Sequence, residues 1–237
     1  MLKFTNVNFS YDKHPLILHK FNLQFVDQKI NCIIGPSAVG KSTLLNLIAR
    51  TIKPQSGEIN NSYRNISYLF QEERLINEIT VFKNLDLILK SVYDNPEKRR
   101  KIIMSGLKSV KLAGTSDWYP DQLSGSMKRR LALLRAFLYP SKLLVMDEPF
   151  TGLDINVKQN MVNLFLRLWK NDKRTVVFVS HDLDEALTVA NYIYVMSTKP
   201  MHLIRTLTIN KPHRKRTLYH NEIINFKKEI IQLTKTW

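Results

Sequence analysis

Residues 35–43 read GPSAVGKST, and within them Gly35, Gly40, Lys41 and Ser42 stand in the order G-x-x-x-x-G-K-S. A small-residue loop of this kind turns backbone N–H groups inward onto phosphate oxygens. Lys41 then brings a cation to the β- and γ-phosphates, and the Ser42 hydroxyl is a hard oxygen ligand suited to magnesium. Pro36, Ser37, Ala38, Val39 and Thr43 complete the phosphate-contacting stretch. Two carboxylates, Asp147 and Glu148, follow the apolar run LLVM. Asp147 is assigned to the metal and Glu148 to polarising a water. His181 follows another apolar run, TVVFV, and a neutral imidazole there can bond a γ-phosphate oxygen. Gln71, after YLF, carries an amide that can reach metal or water, and Tyr11 can stack on a base. Singly, these residues have bland readings: an acid pair on a surface, a capping histidine, a packed aromatic. Together they have the parts of a nucleoside triphosphate site.

Such groups work only if one scaffold presents them on one edge. INCII before the loop is a short apolar strand, and KSTLLNLIAR after it has helical periodicity. KLLVM and TVVFV are continuous apolar runs, the pattern of parallel strands covered on both faces. Residues at the carboxyl ends of such strands lie where open α/β sheets bind ligands.

The stretch QLSGSMKRR, residues 122–130, raises a separate question. Residues 124–140 read as a helix, with Met127, Leu131, Leu134 and Leu138 on one face. Ser124 stands at the N-cap and Pro140 ends the segment. Lys128, Arg129 and Arg130 therefore crowd the positive end of a helix dipole, at about a few tenths of a kcal/mol each. Either an anion docks there or the three charges are simply solvated, and these residues alone leave both readings open.

The chain has 237 residues, 44% of them hydrophobic, and a formal charge of +16. That length supports one large domain or two small ones. The charge implies an anionic partner, nucleic acid or a lipid surface, without choosing between them. The one cysteine, Cys32, excludes an internal disulfide framework and fits a reducing compartment. The N-terminus has no signal-peptide core, and no apolar run approaches the roughly 18 residues that span a bilayer. A soluble, cytoplasmic protein is expected, acting on any membrane from outside the lipid.

In their order along the chain, these motifs resemble the ATP-binding subunits of ABC transporters across about residues 2–205. Tyr11 matches the adenine-stacking A-loop, GPSAVGKST the Walker A motif, and Gln71 the Q-loop. LSGSM at 123–127 matches the signature motif, LLVMDE Walker B, TGLD with Asp154 the D-loop, and His181 the switch histidine. The resemblance implies a P-loop NTPase core of ABC ATPase type, with an N-terminal antiparallel β subdomain and an inserted helical subdomain at about 76–137. The ATP-binding domain would span 2–210, and a basic amphipathic extension would follow at 211–237.

The cofactors implied are ATP and Mg2+, with Ser42, Gln71 and Asp147 at the metal and Glu148, His181 and Gln71 in catalysis. Ser124, Gly125 and Ser126 would face the γ-phosphate of ATP held by a second subunit, most simply a second copy, with Asp154 contributing at that contact. Leu75, Ile76, Val81 and Phe82 would line a groove for a membrane permease, which a solute-binding protein would serve in turn. The family's signature is usually LSGGQ; Ser126 and Met127 depart from it, which bears on turnover speed. The wording around Gln71, Walker B and His181 is most similar to nitrate, sulfonate and taurine importer ATPases, whose relatives serve thiamine-precursor pyrimidines. The expected place is the cytoplasmic face of the membrane. An export-type ATPase is the alternative. A non-transport ABC ATPase acting on nucleic acid is disfavoured by a single ATP domain, one cysteine and no heptad run.

Overall fold

The computed structural model describes residues 1–12 and 15–234. Two sheets organise it. Strands β1 (Leu2–Phe9), β2 (Leu18–Phe25) and β4 (Ser56–Asn61) form an antiparallel sheet in the order β2-β1-β4. The main sheet contains β3 (Ile30–Ile34), β5 (Ile66–Leu69), β6 (Leu143–Asp147), β7 (Thr175–Val179), β8 (Tyr192–Met196) and β9 (Leu203–Thr208). Its order is β5-β6-β7-β3-β8-β9, parallel except at the β9 edge.

The continuous apolar runs form these central strands because both faces are covered. Alternate residues serve different cores. Cys32, Leu144, Met146, Val176 and Phe178 pack with the helices on one face. Ile33, Val145, Val177 and Val179 pack with the antiparallel sheet and with helix α1 (Lys41–Ile48) on the other. The apolar period is thus hidden in the sequence, since neither face of the strand meets water.

Between β5 and β6 the chain forms three helices, α2 (Val81–Lys90), α3 (Pro96–Ser109) and α4 (Gly125–Leu138). Thr80, Asn95 and Ser124 cap them by accepting backbone N–H groups of Lys83, Lys98 and Met127. Leu131 and Leu134 are buried as the helical face predicts, with Met127 and Leu138 packed beside them. One expectation fails here. Val81 is fully buried in the core and cannot line a docking groove, while Leu75 and Phe82 pack partly against that same core. Ile76, 41% exposed, keeps an apolar surface available. The sequence pattern could not separate these residues, because the helix start and the loop before it share one apolar run.

Helices α5 (Ile155–Asn171), α6 (Leu183–Val189) and α7 (Asn221–Leu233) complete the fold. α7 buries Ile223 and Ile230 against the core and leaves Ile231 exposed. The basic stretch before it is not uniformly a solvated face. Arg216 is buried and donates to the carbonyls of Leu187, Thr188 and Ala190 at the end of α6, and to those of Ile209 and Lys211. His213, packed edge-on to Trp169, donates from Nε2 to the Val189 carbonyl; burial pushes its pKa down to about 4 and keeps the ring neutral. Lys211, Arg214 and Lys215 remain at least partly accessible. The tail is thus fastened to α6 by Arg216, by His213 and by Lys227, which pairs with Asp184. Arg216→Ala orphans several buried carbonyls together and is expected to cost roughly 3 kcal/mol. Urea unfolding, followed by circular dichroism, measures that loss against the wild-type chain.

Candidate nucleotide site

The loop after β3 and the start of α1 build the site. Gly40 adopts φ +118°, and a Cβ there would stand 2.2 Å from Ile17 Cγ2, so both conformation and space require glycine. α1 begins at Lys41 with no side chain capping it. The N–H groups at its first turn are therefore left for an external acceptor, which is the arrangement an anion needs. By contrast, α5 is capped by Asp154, which accepts from Val157 N at 3.0 Å, and α6 by Asp182.

Lys41 folds over the loop and donates from Nζ to the Gly35 and Pro36 carbonyls at 2.9 and 2.7 Å. Burial lowers its pKa, while Glu148 and Asp147 oppose that shift. Asp147, at the end of β6, has its pKa raised by burial, and the neighbouring Ser42 hydroxyl counters this. A neighbouring hydroxyl and carboxylate are a hard oxygen pair, the donor chemistry that magnesium takes alongside phosphate oxygens. No cluster of three or more His, Cys, Asp or Glu occurs among the described residues, so a metal here would depend on such mixed donors.

Glu148 sits at φ +44°, in the left-handed region. A side chain there costs on the order of 1 kcal/mol or more and needs external restraint. The restraint is visible: Glu148 N donates to Val179 O at 3.1 Å, across to the neighbouring strand. The carboxylate meets His181, whose Nδ1 lies 3.1 Å from Glu148 Oε2. Glu148 also lines a cleft of about 520 Å3 with Tyr11, Ser37, Ala38, Lys41, Ser42 and Thr43. Tyr11 is 42% exposed, its ring set edge-on to Phe9 at 5.0 Å.

Ser124, Gly125 and Ser126 lie elsewhere and do not border that cleft. Ser126 is an ordinary helical residue, its hydroxyl 3.2 Å from that of Ser124. The cations that follow are largely occupied. Arg129 pairs with Glu73 at 2.9 Å and donates to Thr151 O. Arg130 donates to the carbonyls of Ser126, Val110 and Lys111. Of the three charges that raised the question of a docked anion, Arg129 is paired with an acid of the chain and Arg130 is held by carbonyls without a counter-charge. Gln71 is exposed in the loop after β5, away from the cleft.

The ABC transporter family profile matches residues 18–151. The formylaminopyrimidine import ATP-binding protein ThiZ of Halalkalibacterium halodurans is 33% identical over 203 residues, covering 85% of this chain and 82% of that protein. The aliphatic sulfonates import ATP-binding protein SsuB of Bacillus cereus is 34% identical over 206 residues, covering 83% of this chain and 80% of that one. The chain belongs to the ABC transporter family. Among solved structures, the dimeric bacterial ABC transporter cassette MJ0796 superposes with a TM-score of 0.76 at 28% identity, over 90% of this chain and all of that one. The same cassette in a dimeric post-hydrolysis state bound to ADP and Pi gives 0.75. The protein is an ABC ATPase with the P-loop fold its motifs imply.

Sequence reasoning missed several parts of this ABC ATPase. Pro15, Ile17 and Lys199 also border the cleft. Nothing in their local spacing marked them, because β2 and the segment after β8 bring them there only through folding. Glu185 on α6 was missed too. It is 4% exposed, and neither carboxylate oxygen has a hydrogen-bond partner. Burial raises its pKa from 4.5 to about 8, with Lys158 opposing.

Between those two values the unfolded chain ionises Glu185 while the folded chain keeps its proton. Its contribution to stability is therefore undiminished below 4.5 and is lost as pH rises through 8. Glu185→Gln removes this dependence. Urea midpoints at roughly pH 5 and roughly pH 8.5 are expected to differ less in the variant than in the wild type, with the variant's advantage growing toward high pH.

Proposed function

We propose that this ABC ATPase binds Mg2+–ATP at the Lys41 cleft and, as a pair of identical subunits, energises a membrane importer of a small solute. The observation that carries this reading is the approach of Glu148 to His181 at 3.1 Å beside an uncapped α1. In this proposal the N–H groups of Gly35–Thr43 and the Lys41 ammonium hold the phosphates. Tyr11 stacks on the base. Ser42 and Asp147 hold magnesium, which supplies charge neutralisation at the phosphate oxygens, and Gln71 approaches it when its loop swings inward. Glu148 accepts a proton from the attacking water, and His181 orients that carboxylate and bonds the γ-phosphate.

The need for two subunits follows from Ser124, Gly125 and Ser126. Apart from its chain neighbours and its own helix backbone, nothing lies within 4 Å of where a Gly125 Cβ would stand, and Gly125 is not among the positive-φ residues. Nothing inside the chain demands glycine there, which supports close approach from outside by the partner's phosphate. Asp154, already committed to capping α5, sits at the same contact. The names of the relatives favour import, with a formylaminopyrimidine or an aliphatic sulfonate as the type of solute, carried by permease subunits and delivered by a solute-binding protein. The subunit then works peripherally at the cytoplasmic face; among the described residues no helix is long and apolar enough to cross a membrane.

Glu148→Gln keeps the shape but cannot take the proton. Turnover is expected to fall roughly 10²–10⁴-fold with nucleotide affinity retained, and size-exclusion in ATP should show accumulation of the dimer. Near wild-type hydrolysis would remove Glu148 from the role of base. Transport is tested at the exposed Ile76. Ile76→Asp should leave ATP binding intact and abolish co-purification with the permease, because a carboxylate would be buried unpaired at the contact. Retained assembly would place the permease contact elsewhere.

A further inference from the structure

A second cleft, of about 390 Å3, lies between α4 and α5, away from the nucleotide. Its apolar lining includes Met161 and Leu164, and its polar lining includes Asn163. Three cations complete it: Lys111, Arg130 and Arg167. No aspartate or glutamate borders it, and none of the three cations forms an ion pair among the described residues. Their backbone contacts leave donors spare. Arg130 uses Nε and Nη1 on carbonyls, and Arg167 uses Nη2 on Ser109 O at 2.7 Å. Arg130 Nη2, and Nε and Nη1 of Arg167, make no hydrogen bond among the described residues.

Three like charges around one cavity repel unless a counter-charge enters. The guanidinium forks suit a planar or tetrahedral oxyanion, which they can hold by two parallel hydrogen bonds. The cleft's apolar side, the half-buried Val157 with the buried Met161 and Leu164, would be left uncovered by an inorganic ion alone. The volume is near the lower end of ligand clefts, roughly 300–1,000 Å3, so it admits one ring or a short chain. We propose that the cleft between α4 and α5 binds a small organic anion, with its oxyanion head on Arg130, Arg167 and Lys111 and its apolar body on the side lined by Val157, Met161 and Leu164. Ser126 also borders the cleft. An occupant therefore braces the signature helix against α5, the helix that Asp154 starts. This assignment does not depend on which solute the transporter carries.

The probe is para-fluorobenzenesulfonate, followed by fluorine NMR on the full chain saturated with ADP, so that the Lys41 cleft is filled. Saturable line broadening is expected for the sulfonate and not for para-fluorobenzenesulfonamide, its neutral counterpart. Lys111→Gln with Arg167→Gln should weaken binding at least about tenfold. Asn163→Trp, which fills the cavity and leaves all three cations in the chain, should abolish it. Thermal midpoints identify a variant that has merely unfolded, and the remaining variant then decides. Absence of saturable binding to the wild-type chain overturns the proposal. So does equal binding of the sulfonamide, or undiminished binding in whichever variants remain folded.

Discussion

The site depends on one row of strand register. β3, β7 and β6 are paired so that Ile33 lies opposite Val179, and Val179 opposite Asp147. From that row the three chains leave the sheet together: two residues beyond Ile33 is Gly35, two beyond Val179 is His181, and one beyond Asp147 is Glu148. A slip of one residue in any pairing would turn the apolar strand inside out and move its terminal group to the other face. Both faces are buried, so the sheet cannot tolerate that exchange. The packing that stabilises the fold is thus also what brings a carboxylate, an imidazole and a phosphate loop to one edge.

This coupling explains what could be read from the sequence. The groups at strand ends were legible because the strands are short, predominantly apolar and followed within two residues by Gly35, Glu148 or His181. α4 was legible because Ser124 is a real cap and Leu131 and Leu134 are a real face. Val81 was not, since a buried and an exposed residue at a helix start share the same apolar letter. Lys199 and Ile17 were not, since they reach the cleft from segments distant in sequence. Glu185 was hidden for another reason: an acid four residues after a histidine on a polar helix start looks solvated, and only the packed structure buries it.

The charge of +16 has a partly structural account. Arg174 donates to the carbonyls of Ala136, Phe137 and Tyr139 at the end of α4. Arg216 does the same at the end of α6, and Arg99 holds the Tyr93 and Asp94 carbonyls just beyond α2. Helix C-termini expose unpaired carbonyls and carry the negative end of the dipole, so a guanidinium is well matched to them. Arg135 likewise holds the Glu73 and Arg74 carbonyls of the loop that carries Gln71. Arginine thus joins segments in this chain, so part of the excess of cations has a role within the fold.

The same arginines make the helical insertion a mechanical part and not an appendage. Arg129 touches Glu73, two residues after Gln71, and Thr151, shortly before Asp154, while sitting on the helix that Ser124 starts. α4 is therefore in contact with the Gln71 loop and with the segment leading to Asp154 at once. Glu148, strained at φ +44° and held by Val179 O, lies at the other end of that segment, with Thr151 N donating back to Glu148 O. The contact chain from Gln71's loop through Arg129 and Thr151 to Glu148 is continuous within one subunit. The insertion and the carboxylate that faces His181 are for that reason joined by direct contacts in this fold.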